Sequence, residues 1–359
     1  MKKILKKIGS VGVMFMLILS LSACGSDKSS KSGSKSKWDG KTLVICGWGG
    51  TVEEAMKKAW FEPFEEKYGV TIKTVSPPDS GQITAMGEAG KCDYDLIICD
   101  PDLVMRLADK GYMEKMDYDT IDNSSFDKDY YNDYLIAADI YTTSVAYNTD
   151  AFSKSEAPKS WADLWKDGVK KKGITLYNYP ATTLEIALIA DGVKDKDIYP
   201  IDYDRAFKKL DEIKSSVKKW YDGGEQSAQL LTSGEVGSGG LWAGRAVAAK
   251  ENGDPVDVVF EDSTVAMDAF CVMKGGNNKK LAMEFLKFAT QKEQGAAFMK
   301  EFPYGVPNND AYDLISKDRI KELAVSPDKK NTQHIMNYEY WIKEIATAQE
   351  KWNEWMMKK

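Results

Sequence analysis

Short apolar runs alternate with stretches of helical spacing along most of the chain. Thr42-Leu43-Val44-Ile45-Cys46 is a continuous apolar run, the pattern of a strand buried on both faces. Gly47-Trp48-Gly49-Gly50 breaks it, and Thr51 with Glu54 then reads as a capping box at a helix start. Val52, Ala55, Met56, Ala59 and Trp60 recur at helical spacing, and Tyr68-Gly69 ends the helix. Val70–Val75 and Tyr94–Cys99 predict two further strands, followed by a helix around Leu103–Lys110 that stops at Gly111. This β-α-β-α-β alternation predicts a parallel, doubly wound α/β sheet.

A second α/β unit is expected in the middle of the chain. Ser144–Asn148 opens a new stretch, Ser160 caps Trp161-Ala162-Asp163-Leu164-Trp165, and Ile174–Tyr177 reads as a strand. A long helix is expected near Tyr203–Tyr221, a Gly-rich strand over Val236–Trp242 and another strand over Val256–Phe260. Met267–Met273 reads as a separate strand returning to the first unit. Amphipathic helices are expected over Lys279–Ala289 and Gln291–Met299. In the last helix Tyr338, Trp341, Ile342, Ile345, Trp352 and Trp355 form a stripe best read as core packing.

The first 37 residues follow a different logic. Lys2, Lys3, Lys6 and Lys7 precede an apolar run, Val11–Leu21, too short to span a bilayer comfortably. This is the shape of a signal peptide over residues 1–23. Leu21-Ser22-Ala23-Cys24 looks like a lipoprotein processing signal, which makes Cys24 the expected lipidation site and N-terminus of the mature chain. Diacylation there would anchor the protein stably to the membrane. Residues 25–37 are Ser, Lys, Gly and Asp only and are expected to be a flexible tether with a reach of about 20 Å.

Composition narrows the chemistry. With 359 residues, 43% hydrophobic and 29% charged, the chain is a folded globular protein of about two domains. Its single histidine, His334, argues against mechanisms that need paired imidazoles, and a net charge of −6 is a poor match for nucleic acid. Cys46, Cys92, Cys99 and Cys271 have no metal-type spacing. Cys46 and Cys99 end strand-like runs that are candidates for neighbours in one sheet, as a disulfide or as buried thiols. No cofactor and no metal are expected, and no catalytic motif is present.

Trp48-Gly49-Gly50 after a strand, Ser160-Trp161-Ala162-Asp163-Leu164-Trp165, Gly234-Glu235-Val236, Leu241-Trp242-Ala243-Gly244, Val256–Val259, Met267-Asp268 and Tyr304-Gly305-Val306-Pro307-Asn308 fall in a familiar order. In that order the chain resembles the spermidine/putrescine-type extracellular solute-binding proteins of ABC importers, over nearly its whole mature length. The resemblance implies a two-lobed periplasmic-binding-protein fold of type II, with a ligand cleft between two doubly wound α/β domains. The first domain would be 38–142 plus 268–315 and the second 143–267 plus 316–359. It implies a non-enzymatic receptor, expected to be monomeric, that hands a small amine-containing solute to membrane permease subunits.

The resemblance assigns site residues only in part. Asp268 falls where the family places an ammonium-binding aspartate, and Trp48, Trp242 and Tyr304 fall on aromatic positions. Other expected acids are missing: Gly49-Gly50 and Tyr179-Pro180-Ala181-Thr182 stand in their place, while Asp100 and Asp102 add acid after the third strand. Tyr179 and Thr182 are weaker candidates, and Tyr141 is read as lining the crossover. Gly49-Gly50-Thr51 offers backbone N–H groups to an anion or simply makes a tight turn. Arg245 is a gain: in a cleft it would grip a carboxylate, which with Asp268 suggests a zwitterion of the gamma-aminobutyrate or opine type. The alternative for Arg245 is a structural ion pair with a nearby acid, for instance Glu261 or Asp262. A ferric-iron receptor built on Tyr130-Tyr131 and a non-transport surface protein are the remaining alternatives.

Overall fold

The computed structural model describes residues 36–358. The signal peptide, Cys24 and all but the end of the tether therefore lie outside the described residues.

The first half of the fold follows the predicted alternation. Strand β1 (Thr42–Cys46) leads through Gly49 and Gly50 into α1 (Gly50–Met56), which continues through a wider turn (Lys57–Phe61) into α2 (Glu62–Tyr68). β2 (Thr71–Val75), α3 (Ser80–Ala89), β3 (Leu96–Cys99) and α4 (Pro101–Asp109) follow. β1 pairs in parallel with both β2 and β3, as βαβ crossovers require. Every residue of β3 is buried, which explains its uninterrupted apolar run.

Next comes β4 (Ile136–Asn148), which begins well before Ser144, where the sequence marked a new stretch. The middle of the chain supplies α5 (Asp167–Lys170), β5 (Ile174–Tyr177), α6 (Pro180–Ala190), α7 (Tyr203–Lys214), β6 (Val217–Tyr221), α8 (Gly224–Thr232), β7 (Ser238–Trp242) and α9 (Ala243–Glu251). The expected helix over 203–221 thus ends at Lys214. Its last residues, Val217-Lys218-Lys219-Trp220-Tyr221, form an edge strand, and β-branched and aromatic residues favour that outcome. β8 (Val256–Cys271) is one strand of sixteen residues where two had been expected. The polar Glu261-Asp262-Ser263-Thr264 stretch hides its continuity. α10 (Lys279–Ala289), α11 (Lys292–Glu301), α12 (Lys317–Glu322), β9 (His334–Ile335) and α13 (Tyr338–Met357) complete the fold.

The sheet order is β2-β1-β3-β8-β4-β7-β5-β6, with β9 beside β8. Its two outer thirds are parallel, and the antiparallel pair β4–β8 joins them. One end of β4–β8 pairs with β3 and the other with β7. Two separate apolar cores flank this seam. One is built around Trp60, Phe64, Phe270, Phe285 and Phe298. The other is built around Trp161, Leu184, Trp341, Trp352 and their neighbours. The C-terminal aromatic stripe is core, as expected: Trp341, Trp352 and Trp355 are buried. Two large cores on the two parallel parts of one sheet, joined by two long strands, make the two-lobed α/β architecture.

The four body cysteines are buried free thiols. Cys46 and Cys99 do lie on neighbouring strands, but the close contact is Cys99 with Cys271, Sγ to Sγ 3.9 Å.

Candidate functional site

The candidate residues converge where the lobes meet. In open parallel sheets the carboxyl ends of strands leave a crevice between the following turns, and these turns carry the site. β1 delivers Trp48, β3 delivers Asp100, β5 delivers Tyr179, β7 delivers Trp242, and the seam strand β8 delivers Asp268.

Arg245 is the third residue of α9 and 9% exposed. Its Nη1 donates to Glu225 Oε1 at 2.7 Å and also to the Thr51 hydroxyl. Thr51 Oγ1 donates to the same Glu225 oxygen at 3.2 Å. The ion-pair partner of Arg245 is therefore Glu225 on α8, and neither Glu261 nor Asp262. This three-residue bridge ties the first turn of α1 to the opposite lobe. Arg245 Nε remains a buried donor without a partner, and the guanidinium carbon stands 5.6 Å from the Phe302 ring centre.

Thr51 does not cap its helix. Gly49 occupies the N-cap position with φ 71° and no side-chain cap, and Gly50 has φ 66°, so the turn reading of these glycines holds. A Cβ on Gly50 would also stand 3.2 Å from Glu225 Oε1, so the bare glycine leaves room for the bridge.

Aromatic rings wall the space beside Arg245. Tyr304 lies 5.5 Å from Tyr141, and Trp242 lies 6.1 Å from Tyr141 and 5.3 Å from Tyr177, centre to centre. Tyr179 continues the row at 5.7 Å from Tyr177. Tyr141 is thus part of the wall and not only of the crossover. Trp48 is 38% exposed, unusual for tryptophan and consistent with a surface awaiting a partner. Thr182 is buried at a left-handed kink (φ 73°) where α6 begins, three residues beyond Tyr179.

The acids divide into two groups. Asp102 is neutralised within its own helix by Arg106. Asp100 is pushed well up from the usual carboxylate range by burial, then by Asp102 and Asp268. Asp268 is 8% exposed and also pushed well up, by burial first and then by Asp139, while the Trp48 indole acts on it as a hydrogen-bond donor. Asp139 was missed in the sequence. It is fully buried, pairs across the seam with Asp268, and neither of its carboxyl oxygens has a hydrogen-bond partner. Burial raises it to about 8, against the pull of Arg245. A lone aspartate inside Ile136-Ala137-Ala138-Asp139-Ile140 was the available signal, because a buried polar residue is the informative exception. Glu225 had none, since only the folded chain brings it to Arg245.

Elsewhere, a surface depression of about 420 Å³ lined by Phe152, Glu156, Lys159, Lys166 and Lys172 lies apart from this cluster. Tyr130 is buried against Lys330, and no group of three or more His, Cys, Asp or Glu placed to hold a metal occurs among the described residues.

A cleft with a nearly buried arginine, buried aspartates and aromatic walls, set between two lobes on paired long strands, fits the type II substrate-binding class of ABC importers. The chain belongs to the bacterial extracellular solute-binding protein family, whose pattern matches residues 59–327. The gamma-aminobutyric acid-binding protein of Pseudomonas aeruginosa is 29% identical over 326 residues, covering 88% of this chain and 91% of that protein. The spermidine/putrescine-binding periplasmic protein of Escherichia coli is 24% identical over 331 residues, covering 89% and 92%. Among solved structures, the Atu4243-GABA receptor is 34% identical with a TM-score of 0.81, covering 89% of this chain and 98% of that one. AgtB of A. tumefaciens R10, in complex with agropinic acid, is 25% identical with a TM-score of 0.78, covering 89% and 99%. The protein is thus an extracytoplasmic solute receptor that works with ABC permease subunits.

Proposed function

We propose that this receptor captures a small zwitterion, of the class of gamma-aminobutyrate, without chemical turnover. The carrying observation is Arg245. It is a cationic side chain at the cleft, nearly buried, with a free Nε donor that its bridge to Glu225 and Thr51 leaves unused. A ligand carboxylate satisfies that donor, and a buried donor left unpaired costs about 1–3 kcal/mol. The amine turns toward Asp268, whose charged form an ammonium restores, and the chain between them lies against Trp48, Trp242, Tyr141 and Tyr304. The relatives that bind gamma-aminobutyrate and agropinic acid support the same reading.

In this scheme residues 38–142 with 268–315 and residues 143–267 with 316–359 move as two bodies about β4 and β8. The Thr51–Glu225–Arg245 bridge holds the two bodies in the closed arrangement. The body is a monomer held to the outer face of the membrane by acylated Cys24, through the tether of residues 25–37. A polyamine is the second reading, favoured by the number of cleft acids. Calorimetric titration of the purified protein with gamma-aminobutyrate and with putrescine separates the two. Gamma-aminobutyrate should bind the wild type, and Arg245→Ala should lose that binding by 100-fold or more, as expected (about 3 kcal/mol) for a buried charge-assisted pair. Putrescine binding that survives or improves in Arg245→Ala, with no binding of the amino acid to wild type, overturns the zwitterion reading.

A further inference from the structure

The ammonium end of the cleft holds two carboxyl groups, and nothing so far uses the second. Asp139 on β4 and Asp268 on β8 are directly opposed in the antiparallel seam, so their side chains leave the same face of the sheet as nearest neighbours. Their separation along the chain places the pair at the junction of the lobes, beside a break in register between Ala137 and Asp139. Asp139 is completely buried with both oxygens unpartnered. Two buried carboxylates side by side, with no base bonded to one of them, cannot both carry charge at modest cost.

The groups facing the pair do not relieve this. Arg245 is the cation acting on both, and its charge is already committed to Glu225. Asp100 from the end of β3 adds a further acid, and Tyr304, Tyr141, Tyr177 and Tyr338 present phenols held neutral by burial. Trp48 offers Asp268 a neutral donor.

We propose that Asp139 is a positioning residue that keeps a proton within the Asp139–Asp268 pair, so that the pair presents at most one negative charge and docks one ammonium group. The reading deepens the zwitterion assignment and rests on it for the ligand. When the ammonium arrives, Asp268 is the carboxyl that ionises against it. Its proton leaves to solvent, while Asp139 stays protonated. Charge balances: one cation enters and one proton departs. A diamine placing a second ammonium at this end finds no second charge.

The first test needs no ligand. Carbon-13 labelling of the aspartate carboxyls in the full chain should show an aspartate still protonated at pH 7, absent from Asp139→Asn. If every aspartate ionises near the ordinary value of about 4, or if the protonated signal persists unchanged in Asp139→Asn, the proposal fails. The second test is calorimetry with gamma-aminobutyrate in two buffers of different ionisation enthalpy. Wild type should release on the order of one proton per ligand at pH 6–7. Asp139→Asn should bind with less release and a flatter pH profile, because without its neighbour a larger share of Asp268 is ionised before the ligand comes. Equal release in both proteins overturns the proposal. Failure of gamma-aminobutyrate to bind either protein overturns the zwitterion reading instead, and the carboxyl titration still decides the pair.

Discussion

Replacing Asp139 by Asn should make the protein more stable at alkaline pH and leave it nearly unchanged in acid. In the folded chain burial holds the Asp139 carboxyl neutral up to about 8, whereas the unfolded chain ionises it at an ordinary value of about 3.9. Between those values the native state binds more protons than the unfolded one, so wild-type stability falls as pH rises. The contribution is fully present below about pH 4 and lost by about pH 8. From pH 5 to pH 8 the loss has a ceiling of about 4 kcal/mol, at about 1.4 kcal/mol per unit. Sharing of the burden with Asp268 brings the expected value nearer 2 kcal/mol. For a fold of this size, with about 2 cal/mol/K of unfolding entropy per residue, that is a shift of about 3 °C in Tm. Calorimetric melting of both proteins at pH 5, 6, 7 and 8 reads it directly. The gap between variant and wild type should be close to constant in acid and should open by about 3 °C in favour of the variant by pH 8. Comparing slopes removes the pH-independent difference between a buried acid and a buried amide. A gap that does not change with pH would refute the reasoning, because it would mean Asp139 finds a counter-charge in the fold.

Two further outcomes follow from packing at the cleft. Gly244→Ala drives a Cβ into the Tyr304 ring, so Tyr304 must leave the wall. Melting should drop by several degrees, from about 1–3 kcal/mol of overpacking, and tryptophan fluorescence of the cleft should change; an unperturbed melt and spectrum would contradict it. Glu225→Gln weakens the Thr51–Glu225–Arg245 bridge while freeing Arg245 for a ligand carboxylate. Small-angle scattering of the ligand-free protein should shift toward a larger radius, and gamma-aminobutyrate affinity should hold or rise; a fall of tenfold or more would show that Glu225 positions the arginine.

The α/β alternation was legible because each element answers to local pattern. The buried strand β3 reads as an apolar run, and α10 starts and stops where its periodicity does. What pattern could not convey was continuity. β8 passes through Glu261-Asp262-Ser263-Thr264 because one part of the strand lies outside the buried sheet, and Asp262 even turns left-handed (φ 57°). β4 begins with Ala137-Ala138-Asp139, weak strand formers that pair only because β8 lies beside them. Thr51 and Glu54 look like a capping box, yet the hydroxyl faces Glu225 across the cleft, where the hydrogen bond to be made is 174 residues away.

The same limit separates the residues of the site. Trp48, Trp242, Arg245 and Asp268 follow strand ends or lie on the seam, so their place in the crevice follows from topology alone. Asp139 and Glu225 become functional only through their partners, one by register across β4–β8 and the other by the docking of α8 on α9. Both are acids that change the charge count of the cleft. Taken by themselves, Asp268 and Arg245 make a simple dipole. Adding Asp139 converts the negative pole into a pair that must hold a proton, and adding Glu225 leaves the positive pole partly neutralised until the ligand arrives. The empty cleft is then poised near neutrality at both ends. A ligand with one cation and one anion disturbs that balance least, and this, more than any single contact, favours a zwitterion over a polycation.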